Sequence, residues 1–359
     1  MITSPSNILV IKPSSLGDVV HALPAVAWLR GRFPAARVGW LVNTEFAPLV
    51  ALSPLVDEIH PFDRRRFGKL RHWGELWTFQ NALRARHYDC AVDFQGLLRS
   101  GFLTWRSGAA RRIGFAAARE GAAWFYTERV RMPAGVLHAV DKNLALVRLA
   151  FGEPAGAAVP PPSELPLLAP RPEQVAAAAR LWDEAGWPAA AAGSGPVLAV
   201  APGARWPAKC WPPDFFATVL DAVATARPDV RVWLLGTRDE QAAAAAVTAA
   251  CRLARPLDWT GRTGLGDLLA LLQRSGVLLT NDSGPMHLAA AVNVPTVALF
   301  GPTDPALTGP YGPRHAVFRG ACPHAPCFRM RCHLGTAACQ RTLDPVAVAA
   351  AVVERLPGA

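Results

Sequence analysis

Short apolar strands alternate with helical stretches on both sides of one proline-rich run, "GEPAGAAVPPPSELPLLAPRP" at 152–172. Prolines this dense break a helix interior and cannot donate to a central ladder, so the run reads as an interdomain linker. Before it, strand signals at Ile8–Ile11, Val38–Val42, Glu58–Pro61 and Cys90–Asp93 bracket helical patterns at Val20–Arg32, Glu45–Leu52 and Leu76–Arg86. After it, strand signals fall at Val197–Ala201, Val230–Leu235, Val277–Thr280 and Thr296–Phe300. Helices are expected among them at Glu173–Ala185, Asp214–Ala226, Asp239–Arg252, Leu265–Arg274 and Pro285–Val292, with Pro345–Arg355 as the last. Such alternation buries a parallel sheet between two helical layers. The expectation is therefore an α/β chain of two Rossmann-like, doubly wound parallel-sheet domains, 1–160 and 161–342, followed by a C-terminal helix within 343–359. Ligands of such sheets bind outside the carboxyl ends of the strands, so two facing domains share a cleft.

At 359 residues and 51% hydrophobic, the chain can bury two full cores. No apolar run approaches the roughly 18–20 residues that cross a bilayer, and no basic leader precedes the first apolar run, so a soluble, cytoplasmic protein is expected. In a reducing compartment its seven cysteines read as thiols before disulfides. The net charge of +10 is uneven: up to residue 170 there are 20 Lys and Arg against 13 Asp and Glu, and beyond it 17 against 14. The excess gathers at Arg64, Arg65, Arg66, Lys69 and Arg71, and again at Arg111 and Arg112. A patch like this suits anionic partners. Nucleic acid is disfavoured, because no nucleic-acid motif accompanies the patch.

Four loops carry the chemistry. In "LLTNDSGPMHLAAA", a strand runs into a tight turn and a helix opens near Pro285. Its first amides and its dipole make an anion site, with Ser283 as a hydroxyl donor, Gly284 allowing close approach and His287 one turn in. Asp282 is out of place in a phosphate grip, and either fixes the turn or holds a sugar hydroxyl. "APGARWPAKCWPP" places Lys209 after another strand, suited to neutralising a phosphate. "LLGTRDEQ" offers Glu240 to ribose hydroxyls, although a first-turn Glu also occurs for dipole reasons alone. In "IKPSSLGDVVHALPAV", Asp18 stands at the mouth of a strand–helix turn shaped by Ser14, Ser15 and Gly17, with Lys12 close by. With a nucleotide diphosphate held by the second domain, Asp18 becomes a candidate general base, the plain alternative being a helix cap.

Taken in order, "KPSSLGDVVHALPAV", "DFQGLLRSG", "AREGAAWFYTERV", "KCWPP", "TGRTGL", "NDSGPMHLAAA" and "FGPTDP" resemble glycosyltransferase family 9, from about residue 7 to 355. The resemblance implies the GT-B fold and metal-independent, inverting transfer of L-glycero-D-manno-heptose from ADP-heptose to Kdo of the lipid A inner core. It implies Asp18 as general base and Lys209 as phosphate lysine. It gives Ser14, Ser15, Gly17, Glu240, Leu265, Asp282, Ser283, Gly284 and His287 to the donor, and Arg64, Arg65, Arg66, Arg99 and Arg119 to the anionic acceptor. It further implies a peripheral position on the inner face of the inner membrane, and neither cofactor nor metal.

One segment departs from members that add the first heptose. "CPHAPCFRMRCHLGTAACQR" spaces cysteines at 322, 327, 332 and 339 as C-x4-C-x4-C-x6-C. Such tails resemble members that add to a later core sugar. Zinc sites usually pair ligands more closely, so free thiols are favoured over a structural zinc. Two rivals stand beside the transferase: a nucleotide-sugar 2-epimerase, which leaves the basic cluster idle, and a non-catalytic glycolipid-binding protein, which has no use for Asp18, Lys209 and Glu240 together.

Overall fold

A computed structural model describes residues 4–153, 166–186 and 195–358. Residues 154–165, holding most of the expected linker and the expected domain boundary, lie outside the described residues. The chain divides into two compact units, Met1–Ala169 and Pro170–Ala359.

In the first unit, β1 (Asn7–Ile11), β2 (Arg37–Asn43), β3 (Glu58–Phe62), β4 (Cys90–Asp93), β5 (Arg111–Phe115) and β6 (Glu128–Val130) form one sheet. Its order is β3-β2-β1-β4-β5-β6 and every pairing is parallel. Ile8 lies opposite Val38 on one side and Cys90 on the other. With neighbours on both edges and cover on both faces, β1 and β4 read as unbroken apolar runs, which is why the sequence exposed them. β5 and β6 were not anticipated. "RRIGF" and "ERV" are rich in charge, and their stability comes partly from Arg111, which donates to Glu128 across the strands at 2.6 and 2.8 Å.

The helix expected at Val20–Arg32 begins earlier, at Leu16, with Ser15 as its N-cap. Nearly every residue from Val19 to Leu29 is buried, and the helix packs against a second, unanticipated one, Ala139–Ala150. The helix expected at 45–52 is instead a 3-10 turn, Thr44–Phe46, and a four-residue helix, Ala47–Val50, entered at a proline.

In the second unit, β7 (Val197–Ala201), β8 (Arg231–Leu234), β9 (Leu257–Asp258), β10 (Val277–Asn281), β11 (Thr296–Phe300) and β12 (Ala316–Arg319) form a parallel sheet ordered β12-β11-β10-β7-β8-β9. β9 and β12, which the sequence did not announce, are the two edges: one is two residues long, and the other alternates half-buried with exposed. Leu198 and Val200 of β7, Phe216 and Leu220 of helix Pro213–Ala226, and Val348 and Val352 of helix Pro345–Arg355 share one core. The terminal helix is thus part of this unit's core, each buried valine contributing roughly 1.5–3 kcal/mol of apolar transfer.

Counted from first strand to sixth, both units run 3-2-1-4-5-6, the Rossmann order. Strand order reverses between β1 and β4 in one and between β7 and β10 in the other. Those two places are where a doubly wound sheet receives ligands.

Candidate active site

At the first switch point, the chain leaving β1 turns through Lys12–Ser15 into helix Leu16–Arg32. Asp18 lies on the first turn of that helix, three residues after the cap, rather than on the loop before it. Its Oδ2 accepts from the Ser15 amide at 3.0 Å and from Ser15 Oγ at 2.7 Å. The carboxylate therefore plays the capping role that the sequence offered as the plain alternative. Its side chain remains 41% exposed. Lys12 Nζ stands 3.8 Å from Asp18 Oδ1 and donates to the Phe94 carbonyl at 3.1 Å. Burial acts to raise the Asp18 pKa, but Lys12, the two Ser15 hydrogen bonds and His21 outweigh it and hold the carboxyl below its ordinary value. Burial lowers Lys12 in turn, against the pull of Asp18 and Asp93.

Asp93, the last residue of β4, was not singled out from the sequence although it opens "DFQGLLRSG". It is fully buried and accepts from Tyr126 Oη at 2.7 Å and from the Gln95 and Gly96 amides at 2.8 and 3.2 Å. Burial raises its pKa in spite of those bonds. Ser14 and Gly17 sit half-buried in the same turn.

The basic residues assigned to the acceptor are dispersed. Arg64 and Arg99 line one cavity of about 180 Å³, with Phe62, Phe67 and Phe102 among its walls. Arg66 turns away to Glu75, with Nη2 donating at 2.8 Å, and Glu75 also meets His72 Nδ1 at 3.0 Å. Those bonds, Arg66 first, bring Glu75 down to about 2. Arg65 is exposed. Arg119 belongs to a different neighbourhood: its amide donates to Gly96 at 2.9 Å and its charge opposes protonation of Lys12.

The second switch point is more tightly built. Lys209 Nζ is 2.6 Å from Asp282 Oδ2, and Thr303 Oγ1 donates to the same oxygen at 2.6 Å. Asp282 is buried, and its carboxylate is engaged by Lys209 and Thr303, a role outside the two that the sequence suggested. The Lys209 side chain, 18% exposed, lies 4.8 Å from the centre of the Trp206 ring. Three residues that sequence reasoning missed hold the frame. Asn281, fully buried, donates to the Pro202 carbonyl at 2.7 Å and accepts from the Trp211 amide at 3.1 Å. Gln340 donates to the Lys209 carbonyl at 2.9 Å, a contact 131 residues away in sequence. All three lie inside quoted segments, Gln340 at the end of the cysteine-rich one, but nothing in those segments marked them.

Ser283 caps helix Gly284–Ala291 in extended conformation, and its Oγ lies 3.2 Å from Thr280 Oγ1. Pro285 has no amide hydrogen and the Met286 amide already donates to the Ser283 carbonyl at 3.2 Å, so what this helix end offers an anion is the Gly284 amide and the helix dipole. His287 is buried on this helix. Glu240 Oε2 accepts from the Thr237 amide and hydroxyl at 2.7 and 2.9 Å. Its carboxyl packs so closely on the loop after β7 that a methyl group on Gly203 would lie 2.5 Å from the carboxyl carbon. A side chain at Gly203 would displace the Glu240 carboxylate from this position. Leu265 begins helix Leu265–Gln273 and is half-buried.

Cys322, Cys327, Cys332 and Cys339 line one small cavity together with His324 and His333, and all four are free thiols. Among the described residues no three His, Cys, Asp or Glu side chains are arranged to hold a metal ion.

The sequence and the fold both match known proteins. Residues 76–338 match the model of glycosyltransferase family 9 (heptosyltransferase). Lipopolysaccharide heptosyltransferase 1 of Pseudomonas aeruginosa is 32% identical over 334 residues, 91% of this chain and 87% of that one. Lipooligosaccharide heptosyltransferase 2 of Haemophilus influenzae is 27% identical over 332 residues, 87% and 88%. An Escherichia coli heptosyltransferase solved with ADP superposes with a TM-score of 0.75 at 24% identity, covering 97% of this chain and 99% of its own, so the two Rossmann-like units are those of the GT-B fold. The sequence, its ordered motifs and its twin parallel sheets place this chain in glycosyltransferase family 9.

Proposed function

We propose that the protein transfers L-glycero-D-manno-heptose from ADP-heptose to Kdo of the lipid A inner core, with inversion and without a metal ion, at the cytoplasmic membrane surface. The observation that carries this reading is the Lys209–Asp282 pair beside the amino end of helix Gly284–Ala291. A half-buried, oriented ammonium and a helix dipole are what a departing diphosphate needs, since its charge grows as the glycosidic bond breaks. Asp18, kept ionised by Lys12 and Ser15, takes the proton from the attacking hydroxyl. Glu240 and Gly203 receive the ribose, and the cavity lined by Arg64 and Arg99 receives acidic groups of the acceptor.

The relatives support both a first-heptose and a later-heptose reading, and the cysteine segment at 322–339 favours the second. The deciding experiment incubates the enzyme with ADP-heptose and either Kdo-lipid A or heptosyl-Kdo-lipid A, in EDTA, and follows ADP release. Turnover on Kdo-lipid A is expected. Turnover confined to the longer acceptor assigns the later step, and strict dependence on added Mg²⁺ removes Lys209 from the role given to it.

A further inference from the structure

Helix Trp73–Arg84 turns Leu76, Phe79 and Leu83 toward the core of the first unit. Its other side carries Trp73 and Trp77, one turn apart and 61% and 59% exposed. Leu70, just before it, is 75% exposed, and Trp105 on helix Leu98–Arg106 is 48% exposed. The Arg106 guanidinium stacks on Trp77 and Trp105 at 4.7 and 5.8 Å, so the two rings belong to one patch. Single exposed apolar residues are ordinary, but a contiguous patch of large ones marks an interaction surface.

The charges around it identify the partner. Between residues 63 and 86 there are seven Lys and Arg against two acids, and one of the acids, Glu75, is already paired with Arg66. Arg65, Lys69 and Arg71 are exposed. A second copy of this chain would bring the same cations against them. Tryptophan rings settle at the headgroup level of a bilayer, and cations beside them are drawn to anionic lipids.

We propose that this face, centred on Leu70, Trp73, Trp77 and Trp105, docks the protein on an anionic phospholipid bilayer. The inference deepens the functional reading above, since the same helix contributes Leu76 and Gln80 to the cavity that holds Arg64 and Arg99. An acceptor anchored in the membrane is then met beside its own charge-recognising cavity.

The test is cosedimentation of the full chain with vesicles of phosphatidylcholine alone or with about 30 mol % phosphatidylglycerol. The vesicles contain no glycolipid, so the result does not depend on which sugar is transferred. Binding to the anionic vesicles, with a blue shift of tryptophan emission, is expected. W73S/W77S is expected to lower the partition coefficient by about 10-fold or more, and K69A/R71A by about 30-fold at low salt. An unchanged far-UV circular dichroism spectrum and an unshifted thermal unfolding midpoint for W73S/W77S certify its fold. No binding of the native chain, or equal binding by W73S/W77S, overturns the proposal. So does a dimer in solution that W73S/W77S abolishes while vesicles are ignored, which assigns the face to a second copy.

Discussion

If Asp18 is the general base proposed above, one carboxylate serves two ends without conflict, because a cap needs an ionised acceptor and so does a base. D18N is expected to keep ADP affinity and lower turnover by about 10²–10⁴-fold, measured with saturating donor; near-normal turnover removes Asp18 from the mechanism. Since the folded carboxyl lies below its ordinary value, its base form persists as pH falls, and the acid limb of kcat/KM belongs below the ordinary carboxylate range. The stability tied to this shift is present above that range and is lost as pH falls through the lowered value. K12M removes the cation that opposes burial most strongly and is expected to move the limb upward in a pH–rate profile. K209A deletes a charge-assisted contact, so a loss of about 10–100-fold in ADP affinity by calorimetry is expected; an altered acceptor KM alone would place the lysine elsewhere. Asp18, Lys209 and Glu240 were legible because each is an ionisable residue in a turn after an apolar strand. Asp93 and Gln340 were not, because their work depends on partners brought close only by the fold.

Among the elements, the central strands were legible and the edges were not. β1, β4, β7 and β10 are buried on both faces and advertise it. β5 and β6 hide behind arginine and glutamate, and β9 is too short for any period. The basic run at 64–66 is the instructive case, because adjacent letters diverge once a four-residue helix fans them apart. Arg64 meets Arg99 across a cavity, while Arg66 is held by Glu75. R64A/R99A is therefore expected to raise KM for the acceptor by about 10-fold or more, and R66A to change it little. Steady-state kinetics at about 50 and 500 mM salt checks this, with high salt weakening the native enzyme toward the double variant. Equal effects of the two variants would withdraw Arg64 and Arg99 as acceptor residues.

For the whole molecule, the two sheets share one strand order, and each carries its ionisable cluster at the same topological address. If the nucleotide belongs to the second unit, ADP is expected to protect amides at 202–209 and 281–287 from hydrogen exchange and leave 12–18 unaffected. An unreactive ADP-heptose analogue is expected to extend protection to Ser14–Gly17; protection there by ADP alone would move the nucleotide. The Lys209–Asp282 contact has a wider consequence for a chain carrying a net charge of +10. Anions crowd its surface from every direction, yet the ammonium that matters already has a permanent counter-ion, built in and oriented. Chloride or free phosphate arriving there offers nothing that Asp282 does not supply at higher local concentration. If Lys209 receives the donor diphosphate as proposed, a ligand gains entry only by bringing more negative charge than one carboxylate and more contacts than the charge alone, and the resting pair would then act as a sieve that admits nucleotide diphosphates and turns smaller anions away.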